Sequence, residues 1–241
     1  MASRNLATLV MLTMLALLMA GCASNPANPH DPLERYNRSM YSFNDAVDRA
    51  VVRPVAEVYE GVTPQFVRTG VGNFFGNLND LWIGTNNMLQ GKFADGWSDW
   101  MRVVFNSTFG LLGVIDIASD MGLTKHDEDF GQTLGVWGVG EGAYVVLPLL
   151  GPRTVRDASA LPVDFMADTV THLDHVRTRN SLTGLRLVHG RAQLLGADQA
   201  LKQGTTDEYA YMRDFYLQQR RYKVLDGNVT IEYEDFDDLE D

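Results

Sequence analysis

Cys22 carries the most definite chemistry in this sequence of 241 residues: it is the single cysteine, so its thiol has no partner for a disulfide within the chain. Leu18-Met19-Ala20-Gly21-Cys22 resembles a lipobox, in which small residues admit a signal peptidase and the cysteine sulfur takes a diacylglycerol. The usual lipobox has Leu where this one has Met19. Two or more acyl chains, each methylene contributing roughly 0.8 kcal/mol, make a stable anchor. The other candidate groups are weaker. Asp168, His172 and His175 would share a helix face and suit zinc or manganese, but a polar face in solvent is the better reading, and no metal site is assigned. Asp127, Glu128 and Asp129 read as an exposed turn rather than an acid–base pair. There is no GxSxG elbow, HExxH or P-loop, and Gly70, Gly72 and Gly76 have the wrong spacing for a dinucleotide fingerprint. No catalytic residue or cofactor is assigned, and the chain is read as not an enzyme. With 31 acidic against 20 basic residues, nucleic acid is excluded as a partner.

The elements around Cys22 agree with export. Arg4 precedes an uncharged stretch, Leu6 to Ala20, too short to span a bilayer, so 1–21 reads as a signal peptide. Residues 22–30, with two prolines and no charge, form a tether. No Asp follows Cys22, which favours the outer membrane. Residues 31–225 form the folded body, and 226–241, with eight acids and no base, a disordered tail. Within the body, Gly61 to Gly151 holds 16 of the 22 glycines and all four tryptophans, Trp82, Trp97, Trp100 and Trp137, which are read as membrane-interface aromatics.

The fold class is mainly α. Asp31-Pro32-Leu33-Glu34 has the form of an N-cap, a first-turn proline and a capping-box glutamate. Leu33, Tyr36, Met40, Phe43, Val47 and Ala50 then make one apolar stripe, and the helix is expected to end at Arg53-Pro54. Thr63-Pro64 opens a second helix and Gly91 precedes a third, whose stripe is Phe93, Trp97, Trp100, Met101, Val104 and Phe105. Phe130 to Gly151 is expected to be a glycine-rich hairpin with arms Thr133 to Trp137 and Tyr144 to Leu147, bent at Gly138, Gly140 and Gly142. Later helices are expected over Thr183 to Leu201 and after Thr206 as N-cap, with Val229, Ile231 and Tyr233 alternating as a short strand would.

Several of these blocks, in order, resemble the MlaA (VacJ) family of outer-membrane lipoproteins. They include Asp31-Pro32-Leu33-Glu34, Tyr36-Asn37-Arg38, Phe43-Asn44, Val71-Gly72-Asn73-Phe74-Phe75-Gly76-Asn77-Leu78, Phe130-Gly131-Gln132-Thr133-Leu134 and Leu147-Pro148 to Gly151-Pro152. The resemblance implies a ring-like arrangement of amphipathic helices embedded in the outer membrane. It implies removal of mislocalised phospholipids from the outer leaflet through an amphipathic channel and delivery to a periplasmic lipid-binding carrier, beside a trimeric outer-membrane porin. It places a channel hairpin at Gly131, Gly135, Gly138, Gly140, Gly142 and Tyr144. Asn37, Arg38, Phe43 and Asn44 are the expected ring contacts of the first helix. The rival reading is a porin-docking adaptor with no lipid path of its own.

Overall fold

A computed structural model describes residues 31–198 and 205–228. The signal segment, Cys22, the tether, Leu201, the alternating Val229, Ile231 and Tyr233 and nearly all of the acidic tail lie outside the described residues. The described chain is mainly helical, with one two-stranded sheet.

Helix α1 (Glu34–Val47) does not stop at Arg53-Pro54. It passes through a five-residue π turn, Asp48–Val52, into α2 (Arg53–Val62). Pro54 has no amide to donate and its ring crowds the carbonyl four residues back; the wider π turn before it absorbs that misfit. On α1, Asn37, Met40, Tyr41 and Asn44 face the sheet and the last helix. Val51 in the π turn and Val55, Val58 and Val62 beyond it are exposed, while Tyr59 turns to His189, its hydroxyl 3.1 Å from Nδ1. The start of α1 also differs from expectation. Leu33 is the N-cap, with no side-chain cap. Asp31 is fully buried and accepts from Asn37 Nδ2 (2.9 Å) and the Tyr209 hydroxyl, and Glu34 accepts from Arg38 Nε at 2.8 Å.

Helix α3 (Gln65–Leu89) runs 25 residues, about 38 Å. It packs antiparallel on α4 (Phe93–Thr108) through the short connection at Gly91. Gly84 and Gly96 set the spacing: a Cβ on Gly96 would lie 2.7 Å from the Gly84 carbonyl oxygen. Gly96→Ala is therefore expected to force the two backbones apart and destabilise the fold by about 1–3 kcal/mol, measured as a lowered melting midpoint in detergent; Gly61→Ala, with nothing within 4 Å, is the neutral control.

The two helices are turned inside out. Asn77, Asp80, Asn86 and Asn87 of α3 and Asp99, Arg102 and Asn106 of α4 are buried, whereas Phe66 is 77% and Trp97 57% exposed. The Asp99 and Arg102 face of α4, not its aromatic stripe, is the inner one. No described helix is long and apolar enough to cross a membrane; α3 has the length, but its inner row of Asn and Asp keeps the mean hydropathy down. The hydrophobic cluster of buried residues is small: Tyr144, Val146 and Tyr209, with Met40, Tyr41, Tyr216 and Leu217 packed on it.

A loop after α4 exposes Phe109, Leu111, Leu112, Val114 and Ile115 and leads to the short helix α5 (Ile117–Asp120). Phe130–Val136, expected as a hairpin arm, is instead helix α6, N-capped by Asp129. The hairpin lies further on: β1 (Tyr144–Leu147) pairs antiparallel with β2 (Gly151–Thr154), with Val145 opposite Arg153. Glycines 138 (φ +91°) and 142 (φ +68°) shape the exposed link from α6 to β1 rather than the hairpin turn. Helix α7 (Val155–Ala167), a 3-10 turn (Thr169–His172), α8 (Val176–Gln193) and α9 (Glu208–Val224) follow in the described chain. Helix α8 begins seven residues before the expected Thr183, because His175 caps it, with Nδ1 accepting from Thr178 N at 3.2 Å. Asp207, not Thr206, caps α9 by accepting from Ala210 N.

Candidate functional site

The helices surround a central cavity of about 730 Å³. Helix α3 lends Gly72, Phe75, Gly76 and Trp82; α7 lends Asp157, Leu161 and Asp164; α8 lends Arg186, His189 and Gln193; α9 lends Tyr216, Arg220 and Lys223. Asp127, Glu128 and Asp129 enter from the loop before α6, and Arg153 from β2. The wall is built from charges that are mostly paired. Arg220 donates to Asp129 (2.6 Å) and Asp157 (3.0 Å), Arg186 to Asp168 (2.6 and 3.0 Å) and Lys223 to Asp127 (2.5 Å). Asp164 accepts from Trp82 Nε1 at 2.8 Å and from the Phe130 amide at 3.0 Å.

A second cavity of about 620 Å³ lies between α1, the hairpin turn and α8, and shares Arg186 and Gly190 with the first. Val47, Val146, Leu149, Leu150, Leu187 and Leu194 make its walls largely apolar. Arg191 at its rim donates to Asp48 from Nε (2.7 Å) and Nη2 (2.8 Å), tying the π turn to α8.

The acidic triplet is no exposed turn. Glu128 is buried, accepting from Gln90 (2.8 Å) and Lys92 (3.1 Å), and Asp129 serves both Arg220 and the start of α6; only Asp127 is exposed. Asp168, His172 and His175 go to three separate tasks: Asp168 to Arg186, His172 Nε2 to the Met166 carbonyl at 2.5 Å and His175 to the cap of α8. Among the described residues no three His, Cys, Asp or Glu converge as metal ligands.

Of the first-helix residues singled out, Asn37 and Asn44 reach the hairpin. Asn37 donates to Tyr144 O (3.0 Å) and accepts from Val146 N (2.8 Å); Asn44 donates to Leu147 O (2.9 Å) and accepts from Leu149 N (2.7 Å). Arg38 instead holds α9, donating to Asp207 (2.7 and 3.1 Å) with its guanidinium 4.4 Å from the Tyr209 ring centre. Phe43 is exposed. Gly131 is buried under Arg220 and Asp157, Gly135 lies against Val224 and Arg156, and Gly138, Gly140 and Gly142 line the surface link. Tyr144 borders the second cavity. Trp82 is half-buried and braces α7 through Asp164, so it is an internal strut; Trp97 and Trp137 are exposed and Trp100 is half-buried. Arg153, Arg186 and Arg220 had no signal in the sequence beyond being basic residues on amphipathic elements.

The Arg38 pairing holds the Asp207 carboxyl down at about 2. Its folded value is below the ordinary one, so its contribution is present above about pH 4 and lost as pH falls through about 2. The pair is exposed and worth at most about 1 kcal/mol. Lowering pH from about 4 to about 2 is expected to reduce the protection of amides at the start of α9, measured as exchange relative to the intrinsic rate at each pH, and Asp207→Asn to abolish that step.

A profile described as MlaA lipoprotein matches residues 29–223, most of the chain. The chain belongs to the MlaA lipoprotein family. It is 37% identical over 202 residues to the intermembrane phospholipid transport system lipoprotein MlaA of Escherichia coli, covering 82% of this chain and 80% of that one. The Haemophilus influenzae protein of the same description is 32% identical over 203 residues, with 82% and 80% covered. A solved structure from work on the structural basis for maintenance of bacterial outer membrane lipid asymmetry superposes with a TM-score of 0.71 at 32% identity, covering 80% of this chain and 98% of that one. The mainly helical fold is thus shared with that structure.

Proposed function

We propose that this MlaA-family chain is an outer-membrane lipoprotein, anchored by acylated Cys22, that draws mislocalised phospholipids from the outer leaflet through its central cavity and passes them to a periplasmic lipid-binding carrier, beside a trimeric porin. The observation that carries this reading is the inverted distribution of polarity. A charged cavity at the centre offers a phospholipid head the hydrogen bonds it loses on leaving water, which otherwise costs several kcal/mol per group. Apolar side chains on the outside, from Val51 to Val62 and from Phe66 to Trp97, suit contact with acyl chains. The relatives' description as phospholipid transport lipoproteins supports the same assignment.

The mechanism is passive. The head group travels along the paired charges of the cavity while the acyl chains follow along apolar surface, of which the second cavity is the nearest. Direction then comes from the carrier's affinity for lipid, as expected of a conduit that only equilibrates its two ends. The decisive experiment follows fluorescent phospholipid from vesicles bearing the full chain to soluble carrier. Faster transfer than from protein-free vesicles is expected. Equal rates with and without the protein would overturn the reading in favour of a porin-docking adaptor.

A further inference from the structure

We propose that Arg153 receives the phosphate of the lipid head group, so that the central cavity favours phosphodiester lipids over neutral ones; this rests on the cavity being the lipid path proposed above. Arg153, Arg186, Arg220 and Lys223 are the permanent cations lining the cavity. Three of them are neutralised by carboxylates: Arg186 by Asp168, Arg220 by Asp129 and Asp157, Lys223 by Asp127. Among the described residues no carboxylate pairs with Arg153, whose side chain makes one hydrogen bond, from Nη1 to the Pro152 carbonyl at 2.8 Å.

Strand geometry aims it. Arg153 stands opposite Val145, whereas Tyr144 and Val146 fill the hydrophobic cluster, so alternation along the ladder sends Arg153 out of the other face, toward the cavity. A guanidinium has five N–H donors, and two parallel ones match the two free oxygens of a phosphodiester. Arg220, buried with Asp157, would have to break a buried ion pair to do the same, which is costly, and Arg186 and Lys223 already direct their donors to Asp168 and Asp127. Asp164, the cavity carboxylate without a cation, is held by Trp82 and the Phe130 amide, and burial favours its neutral acid. Arg153 is thus the one lining cation that keeps its paired donors free of a described carboxylate and open to a phosphodiester.

The test titrates the full chain in detergent micelles with three probes: short-chain phosphatidylglycerol, diacylglycerol of the same chains, and glycerophosphoglycerol without chains. Wild type, Arg153→Gln and Arg153→Lys are compared after matching circular-dichroism melts show that each is folded. Arg153→Gln is expected to bind phosphatidylglycerol about tenfold to hundredfold more weakly, to bind diacylglycerol like wild type, and to be partly rescued by Lys. Unchanged phosphatidylglycerol affinity in Arg153→Gln overturns the inference and leaves the conduit standing. Chain-free glycerophosphoglycerol binding as tightly as the lipid overturns it in favour of a free-phosphodiester site. A wild type that binds no lipid at all overturns the proposed function itself.

Discussion

Replacing Arg102 with Met is expected to destabilise the protein by about 3–5 kcal/mol, lowering the detergent melting midpoint on the order of 10 °C. Arg102 is 1% exposed and serves four groups at once: Asp80 (3.2 Å), both oxygens of Asp116 (2.9 Å each), the Ser119 hydroxyl (3.1 Å) and the Leu123 carbonyl (2.6 Å). It binds α3, α4 and the loop around α5 into one unit. Removing it leaves Asp116 buried in part against Asn106 and Ser119 without its cation, and strands the Leu123 carbonyl. Met keeps the volume, so the loss reports polar contacts rather than a cavity. Arg102→Lys keeps the charge but lacks the planar fork, and an intermediate loss is expected. Trp97→Ala, on the outside of the same helix, should cost far less in detergent. Equal midpoints for wild type and Arg102→Met would show that the buried polar row is not what joins these helices.

The second large effect is expected at Asn37. Strand β1 has β2 on one side and, among the described residues, no strand on the other. The unpaired edge is closed by two side-chain amides of α1, spaced seven residues apart and so on one face of the helix, each offering one donor and one acceptor as a neighbouring peptide would. Asn37→Ala leaves Tyr144 O, Val146 N and one Asp31 oxygen short of a partner in a fully buried place, and each group left unpaired costs about 1–3 kcal/mol. Hydrogen exchange at the Val146 amide should rise steeply. Asn44→Ala acts on the half-exposed turn, where water substitutes, so a smaller change limited to residues 147–151 is expected. If both variants protect Val146 as wild type does, the amides do not hold the strand.

Much of this was legible in the sequence. The helical character of α1, the α3 and α4 segments and the charge order of α9 follow from spacing and composition, and Asn37 and Asn44 stand out through the blocks that resemble the MlaA family, although the inner face of α1 is Asn37, Met40, Tyr41 and Asn44 rather than the apolar stripe, whose Phe43 is exposed. What escaped has a physical cause. Periodicity locates an apolar face but does not say whether that face looks inward or outward, so the stripe of α4 leaves open that its Asp99 and Arg102 row is the buried one. Glycine spacing points to a turn at residues 138–142, whereas the hairpin turn uses Pro148-Leu149-Leu150, with Leu149 itself at φ +62°. Local spacing makes Asp31 an ideal cap, but Tyr209 and Asn37, distant in sequence, claim its carboxylate. Arg153 carries no motif at all; its solitude is visible only once its neighbours are found matched with one another.

The π turn gives the first thirty residues of the fold a crankshaft. Its surplus residue sets everything downstream back by about one residue's rotation, about 100°, so one uninterrupted rod presents amides to the hairpin from its first throw and valines to the exterior from its second. A one-residue deletion within Asp48–Val52 would leave both throws intact yet mistimed, turning the valines onto α8 and Tyr59 away from His189. Length changes at this point are therefore changes of angle.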